Sequence, residues 1–330
     1  MENVILLKTQ LAEAAKYGKS KDFRFQRLAV ILLDNFVEIK LNSLAKQKFM
    51  FDTELSKYTE KKYSEKKRKK ILTNYDELLK FSLGENTINE KEKYLLLFCH
   101  DVRNNLYHSI YDEELLVTIS LKILKNFITE KQPLWGNVNF ITQYNGKMED
   151  PYKSKSASFN TADDWKFFLA KHFNFIDKRT SNSSNLLKKF ILQKMSIVRD
   201  NYKFLMNEYA DYFPYAKNWG FNDFIFTYSF KYLHQKEIEE IKEINKVSER
   251  EKQRKSLEAE YKQNWKNKKF SRIKAIEQKA KSMSRLEISK SLEVYISLRD
   301  EINIIYEGLK NAANDLNSQI DLEQEMANGN

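Results

Sequence analysis

One cysteine, three prolines and seven glycines are all that 330 residues contain. The lone thiol, Cys99, excludes an intramolecular disulfide framework and a zinc site built on paired cysteines. It fits a reducing compartment, so a cytoplasmic protein is expected. Proline and glycine are the residues that most often break helices, so their scarcity predicts long uninterrupted ones. No apolar run approaches the ~18 residues that a membrane span needs. The start, Met1-Glu2-Asn3, lacks the basic opening of a secretory signal. No membrane association is expected.

What is present points to helices. Apolar residues make up 42% of the chain, enough to bury a core. Lys, Glu, Leu, Asn and Ile dominate, and apolar positions recur at a period near 3.6. An all-α fold follows. The net charge is +11, from 57 basic and 46 acidic residues. That excess suits a polyanionic partner, chiefly nucleic acid, and equally suits lysine-rich solvated faces.

The pattern predicts a first helix over 2–17, closed by Gly18, and a second over 23–46. The second carries two apolar stripes: Phe25, Leu28, Leu32, Phe36, Ile39 and Val30, Leu33, Val37, Leu41, Leu44. A helix apolar on two sides is expected to be largely buried. Yet Asp34 and Glu38 lie one turn apart on it, and buried carboxylates need partners. Residues 48–83 are polar and basic around Lys66–Lys70 and end at Gly84. A long helix from about Asn89 carries Leu95, Phe98, Val102 and Leu106 inward. Asp112 then reads as the N-cap of another helix, with Leu116, Ile119, Ile123 and Phe127 inward.

Residues 129–163 change character, holding Pro133, Pro151, Gly136, Gly146 and a Ser/Asn-rich run. The expected organisation is therefore a helical domain over 1–130, a linker over 131–160 and a helical domain over 161–330. A short hairpin is expected around Val138–Tyr144. Helices are predicted over 162–176 and 186–212, the latter stopped by Pro214. From Phe221 to Glu307 there is no Gly or Pro. A single straight helix there would reach ~130 Å at 1.5 Å per residue. Two or three helices, folded back or as an antiparallel coiled coil, are expected instead, with a frayed tail after Asn311.

Two of only four histidines fall in His100-Asp101-Val102-Arg103-Asn104-Asn105-Leu106-Tyr107-His108. His100, Asn104, His108 and Tyr111 share one helix face, with Arg103 and Tyr107 in the next row. The apolar stripe occupies the opposite face, so the polar row is expected to face a cleft or a partner. Histidine titrates near neutrality and serves as general acid or base. Arginine presents a permanently charged planar fork to phosphate. Asparagine and tyrosine orient groups. Such a set suits phosphodiester cleavage by the 2′-hydroxyl of RNA itself, which requires no metal and no cofactor.

Arg103-Asn104-x3-His108 resembles the R-x4–6-H motif of HEPN domains, in the form with Asn after Arg and Tyr before His. The earlier helix, with Asp34-Asn35-x2-Glu38, is similar to the polar-marked helix that precedes the motif in many HEPN proteins. The resemblance covers about residues 1–130. It implies a dimeric, metal-independent endoribonuclease of the kind common among toxins and antiviral-defence systems. Arg103 would bind phosphate, His108 would act as acid and base, and Asn104 would orient. Asp34, Glu38, Tyr107 and His100 would support them. One departure is Ile110, where some members carry a tyrosine two residues after the histidine. Five residues on a straight helix turn by about 140°, so Arg103 must wrap round, the helix must break near Ser109, or two copies must supply the site. The resemblance implies the last, a two-fold homodimer.

The stretch 250–281 interleaves basic residues with Tyr261, Trp265 and Phe270. Lys262, Lys266, Lys269 and Arg272 are candidate RNA contacts, with the aromatics as base platforms. A coiled-coil arm with the aromatics packed inside explains the same pattern. An inhibitor or trigger protein acting through the C-terminal helices is a further expected partner. The non-enzymatic reading is a helical RNA-binding or protein-interaction module.

Overall fold

The computed structural model describes residues 2–55, 61–108, 114–136, 150–153, 157–173, 182–265 and 273–328. Among them the chain is all-α, with thirteen α-helices and no strand. It divides into two compact units, Met1–Leu186 and Leu187–Asn330. The expected hairpin at 138–144 and the N-cap at Asp112 lie outside the described residues.

In the first unit the helices are α1 (Glu2–Gly18), α2 (Phe23–Leu55), α3 (Glu65–Thr73), α4 (Tyr75–Gly84), α5 (Glu90–His108), α6 (Glu114–Glu130) and α7 (Ala162–His172). Helix α2 is the spine, packing against α1, α4, α5 and α6. One of its two apolar stripes is buried, through Val30, Leu33, Val37 and Leu41. The other is only partly so: Phe36 is enclosed, while Phe25, Leu28 and Ile39 are 44%, 44% and 40% exposed. Helix α2 also runs past its expected end at Lys46. Phe49 stays buried there against Tyr63 and Phe81, and Asp52 pairs with Arg68 of α3 at 2.6 Å. Those contacts supply the packing that propensity alone does not. Helix α6 is buried on nearly every side, from Leu116 to Ile128.

The boundary between units falls later than the change of composition implies. Lys8 of α1 is fully buried and pairs with Asp150 at 3.0 Å and Asp164 at 2.8 Å. Its Nζ also lies 5.9 Å from the Trp165 ring centroid and 5.7 Å from that of Phe168. These contacts tie residues 150–172 to the first unit. Trp135 and Trp165 both meet Phe36 of α2. Gly136 is required here, because a Cβ would stand 2.5 Å from the backbone nitrogen of Ala162.

The second unit, from Leu187, holds all but the first turn of α8 (Ser183–Tyr212), then α9 (Phe221–Leu233), α10 (Gln235–Lys242), α11 (Val247–Trp265), α12 (Ile273–Ser282) and α13 (Ile288–Asn328). Helix α8 ends as expected before Pro214. The Gly- and Pro-free stretch is cut into more helices than the two or three expected. Helix α13 continues through the tail expected to fray, because Ala312, Ala313 and Leu316 extend its buried stripe. It crosses α9 at Gly308, where a Cβ would meet Ser229 Oγ at 2.8 Å. Tyr209 of α8, Tyr228 of α9 and Asp315 of α13 form a chain of hydrogen bonds of 2.7 and 2.5 Å. No helix among the described residues is long and apolar enough to cross a membrane.

Candidate functional site

The polar segment of α5 is held against α2 by its apolar side. Phe98, Cys99, Val102 and Leu106 are buried, and Leu95 is half-buried. Arg27 of α2 donates to the carbonyl of Leu106, in the last turn of α5, at 2.6 Å.

This packing places Asp34 of α2 beneath α5. Its side chain is 0% exposed, and its Oδ2 lies 2.8 Å from His100 Nδ1 and 3.8 Å from Arg103 Nε. A carboxylate only accepts, so Nδ1 carries the proton and donates. Arg103 Nη1 donates in turn to Asn104 Oδ1 at 3.1 Å. Glu38, one turn along α2, brings a carboxylate oxygen into the same cluster: donor atoms of Asp34, Glu38 and His100 all lie within 4.8 Å of one another. Those are the residues that could hold a metal ion.

The His100 ring, expected in a row that faces a cleft or a partner, is largely enclosed by the first unit itself. Its side chain is 15% exposed. Tyr75, the first residue of α4, stacks on it with ring centroids 3.9 Å apart and planes 13° apart. Asn74 fixes that helix start by accepting from the Glu77 amide. Burial first, then the Asp34 charge, push the Tyr75 hydroxyl well above its ordinary range. The same two causes, in the same order, raise the Cys99 thiol. Cys99 is therefore a protonated core thiol donating towards the Ser120 carbonyl, not a nucleophile.

The structure thus brings together Asp34, Glu38, His100, Arg103 and Asn104. The side chains of Tyr107 and His108 lie outside the described residues, as do Tyr111, Lys266, Lys269 and Arg272. Lys262 is exposed on α11 of the second unit. Of the aromatics proposed as base platforms there, Phe270 lies outside the described residues and the other two are not available as such. Tyr261 and Trp265 are buried and ring-packed on Phe226, and Tyr261 donates to the Phe226 carbonyl at 2.8 Å. Within the basic run of α3, Arg68 is paired with Asp52 and Lys70 with Glu77. Tyr75 was missed by sequence reasoning. The Asn74 cap signals a helix start there, but nothing in the pattern links it to His100.

Chemically, the cluster fixes a guanidinium and an imidazole on one helix through one buried carboxylate. No family model, curated protein or solved structure matches the chain.

Proposed function

We propose that the protein is a metal-independent endoribonuclease of the HEPN type. One observation carries this reading: the acid of the early helix, Asp34, holds the arginine of the motif, Arg103, with Asn104 bonded to the same guanidinium. That is the support the resemblance calls for, from the helix it calls for.

In this reading Arg103 binds the scissile phosphate and stabilises charge as it builds on the non-bridging oxygens. His108 takes the proton of the adjacent 2′-hydroxyl, and the 2′-oxygen attacks phosphorus. The bond to the 5′-oxygen breaks, the imidazolium returns the proton to that oxygen, and a 2′,3′-cyclic phosphate remains. A homodimer supplies Arg103 and His108 from facing motifs. The second unit engages RNA, an inhibitor or a trigger protein. The role as a cytoplasmic toxin or antiviral-defence effector rests on the resemblance alone.

A second reading, a non-catalytic RNA-binding or protein-interaction module, is favoured by the enclosure of Arg103, whose side chain is 21% exposed. Incubation with end-labelled RNA in EDTA separates the two. Cleavage by the wild type, lost in His108→Ala and Arg103→Ala variants that keep their helical circular dichroism, supports the enzyme. Salt-dependent RNA binding without cleavage supports the module.

A further inference from the structure

The Asp34–Arg103 contact does not account for every group around it. Asp34 Oδ1 is buried and has no hydrogen-bond partner, and neither has the Tyr75 hydroxyl. Tyr75 is 8% exposed, its ring lies flat on His100, and its oxygen sits within electrostatic reach of both Asp34 and Glu38. Glu38 is half-buried and makes no hydrogen bond or ion pair among the described residues. Leaving such groups unserved costs about 1–3 kcal/mol each. Something that satisfies carboxylate oxygens belongs there.

We propose that Asp34, Glu38 and His100 bind one divalent transition-metal ion. The spacing on α2 puts both carboxylates on one side of the helix, a turn apart, and α5 closes the set with an imidazole. Metal–ligand bonds of ~2.0–2.2 Å put donors roughly 3–4 Å from one another in tetrahedral or octahedral sites. The 4.8 Å span of the three donors is therefore a short closure from a complete set. Two carboxylates and one imidazole suit Zn²⁺ or Mn²⁺; the nitrogen ligand and the small number of oxygens argue against Ca²⁺. With Nδ1 as the ligating nitrogen, the ion takes the place of the proton that Nδ1 now shares with Asp34. The Tyr75 hydroxyl, alongside, can donate to a ligating carboxylate, the outer-shell contact such sites use. The ion would share Asp34 with Arg103, so it lies beside the arginine of the proposed nuclease site. The inference rests on the ligand set and not on the cleavage chemistry.

Isothermal titration and dialysis followed by metal analysis test it on the full chain. ZnCl₂ and MnCl₂ are the probes, and CaCl₂ is the hard-ion control. The expected result is one Zn²⁺ or Mn²⁺ per chain, bound about tenfold or more weakly by Glu38→Gln and by His100→Gln, with Ca²⁺ not retained. Glu38 is half-buried, so its isosteric variant keeps the fold measurable. The proposal is overturned if the wild type retains neither probe ion stoichiometrically, or if either variant binds as the wild type does. RNA cleavage in EDTA reads the nuclease assignment separately, so the two ideas fail independently.

Discussion

Asp34 on α2 accepts a hydrogen bond of 2.8 Å from His100 on α5 while its own side chain is wholly excluded from solvent. Replacing the acid by a residue that cannot accept removes the acceptor of the His100 N–H and the buried carboxylate beside the Arg103 guanidinium. Breaking a buried pair in this way costs about 3–5 kcal/mol. Asp34→Ala is expected to lose stability on that order, and Asp34→Asn, which keeps an acceptor oxygen, to lose less. Urea unfolding of both variants checks the order. Equal midpoints for Asp34→Ala and wild type would show that the contact contributes nothing.

The triad of Lys8, Asp150 and Asp164 makes a parallel prediction at the other side of the first unit. All three side chains are 4% exposed or less. Lys8→Met removes the cation that bridges two buried carboxylates and is expected to cost about 3–5 kcal/mol. Limited proteolysis is the second readout. The segment over 150–172 should become cleavable in the variant while the second unit keeps its wild-type pattern.

Lys40 gives a pH dependence. Burial lowers its pKa to about 8, and its Nζ donates to the Trp135 carbonyl at 2.6 Å while lying 4.7 Å from the Trp165 ring centroid. A lysine with a depressed folded-state pKa is less protonated in the folded chain than in the unfolded one at pH values between the two. Stability should therefore rise with pH above about 8, relative to a Lys40→Met variant that lacks the group. Between pH 7.5 and 9.5 the difference should reach on the order of 2 kcal/mol. Guanidinium melts of both proteins across that range measure it. Parallel curves would mean that Lys40 keeps an ordinary pKa.

In the second unit, Gly308 lets α13 approach α9. A Cβ there would lie 2.8 Å from Ser229 Oγ and 3.2 Å from Ile225 Cα. Gly308→Ala should therefore destabilise by about 1–3 kcal/mol despite its better helix propensity. Adding Ser229→Ala should recover part of that loss, because the two sites share the clash. Additive losses in thermal melts would place the strain elsewhere.

Much of this architecture was legible because helix signals are local. Gly18, Gly84 and Pro214 stand where helices end, and the burial of Val30, Leu33, Val37 and Leu41 follows their spacing. The breaks in the second unit were not legible, since no Gly or Pro marks them. Two of them are bridged by side chains that reach backbone carbonyls: Arg250 on Ile244 at 3.1 Å and Ser291 on Met283 at 3.2 Å. Such bonds are short-range side-chain-to-backbone contacts, which apolar periodicity does not encode. At the site, the demand of Asp34 for a partner was readable from its place on an apolar helix. That the demand is met by His100 as well as Arg103 was not, because the face expected to meet a cleft or a partner is covered at His100 by Tyr75, from a helix outside the motif.

The nuclease assignment meets its most direct test in the chemistry of the RNA ends. Purified protein incubated with RNA in EDTA should leave 2′,3′-cyclic phosphate termini, detectable by mass spectrometry, and His108→Ala should leave none. Intact RNA under those conditions, or 3′-hydroxyl ends produced equally by the His108→Ala variant, would contradict it.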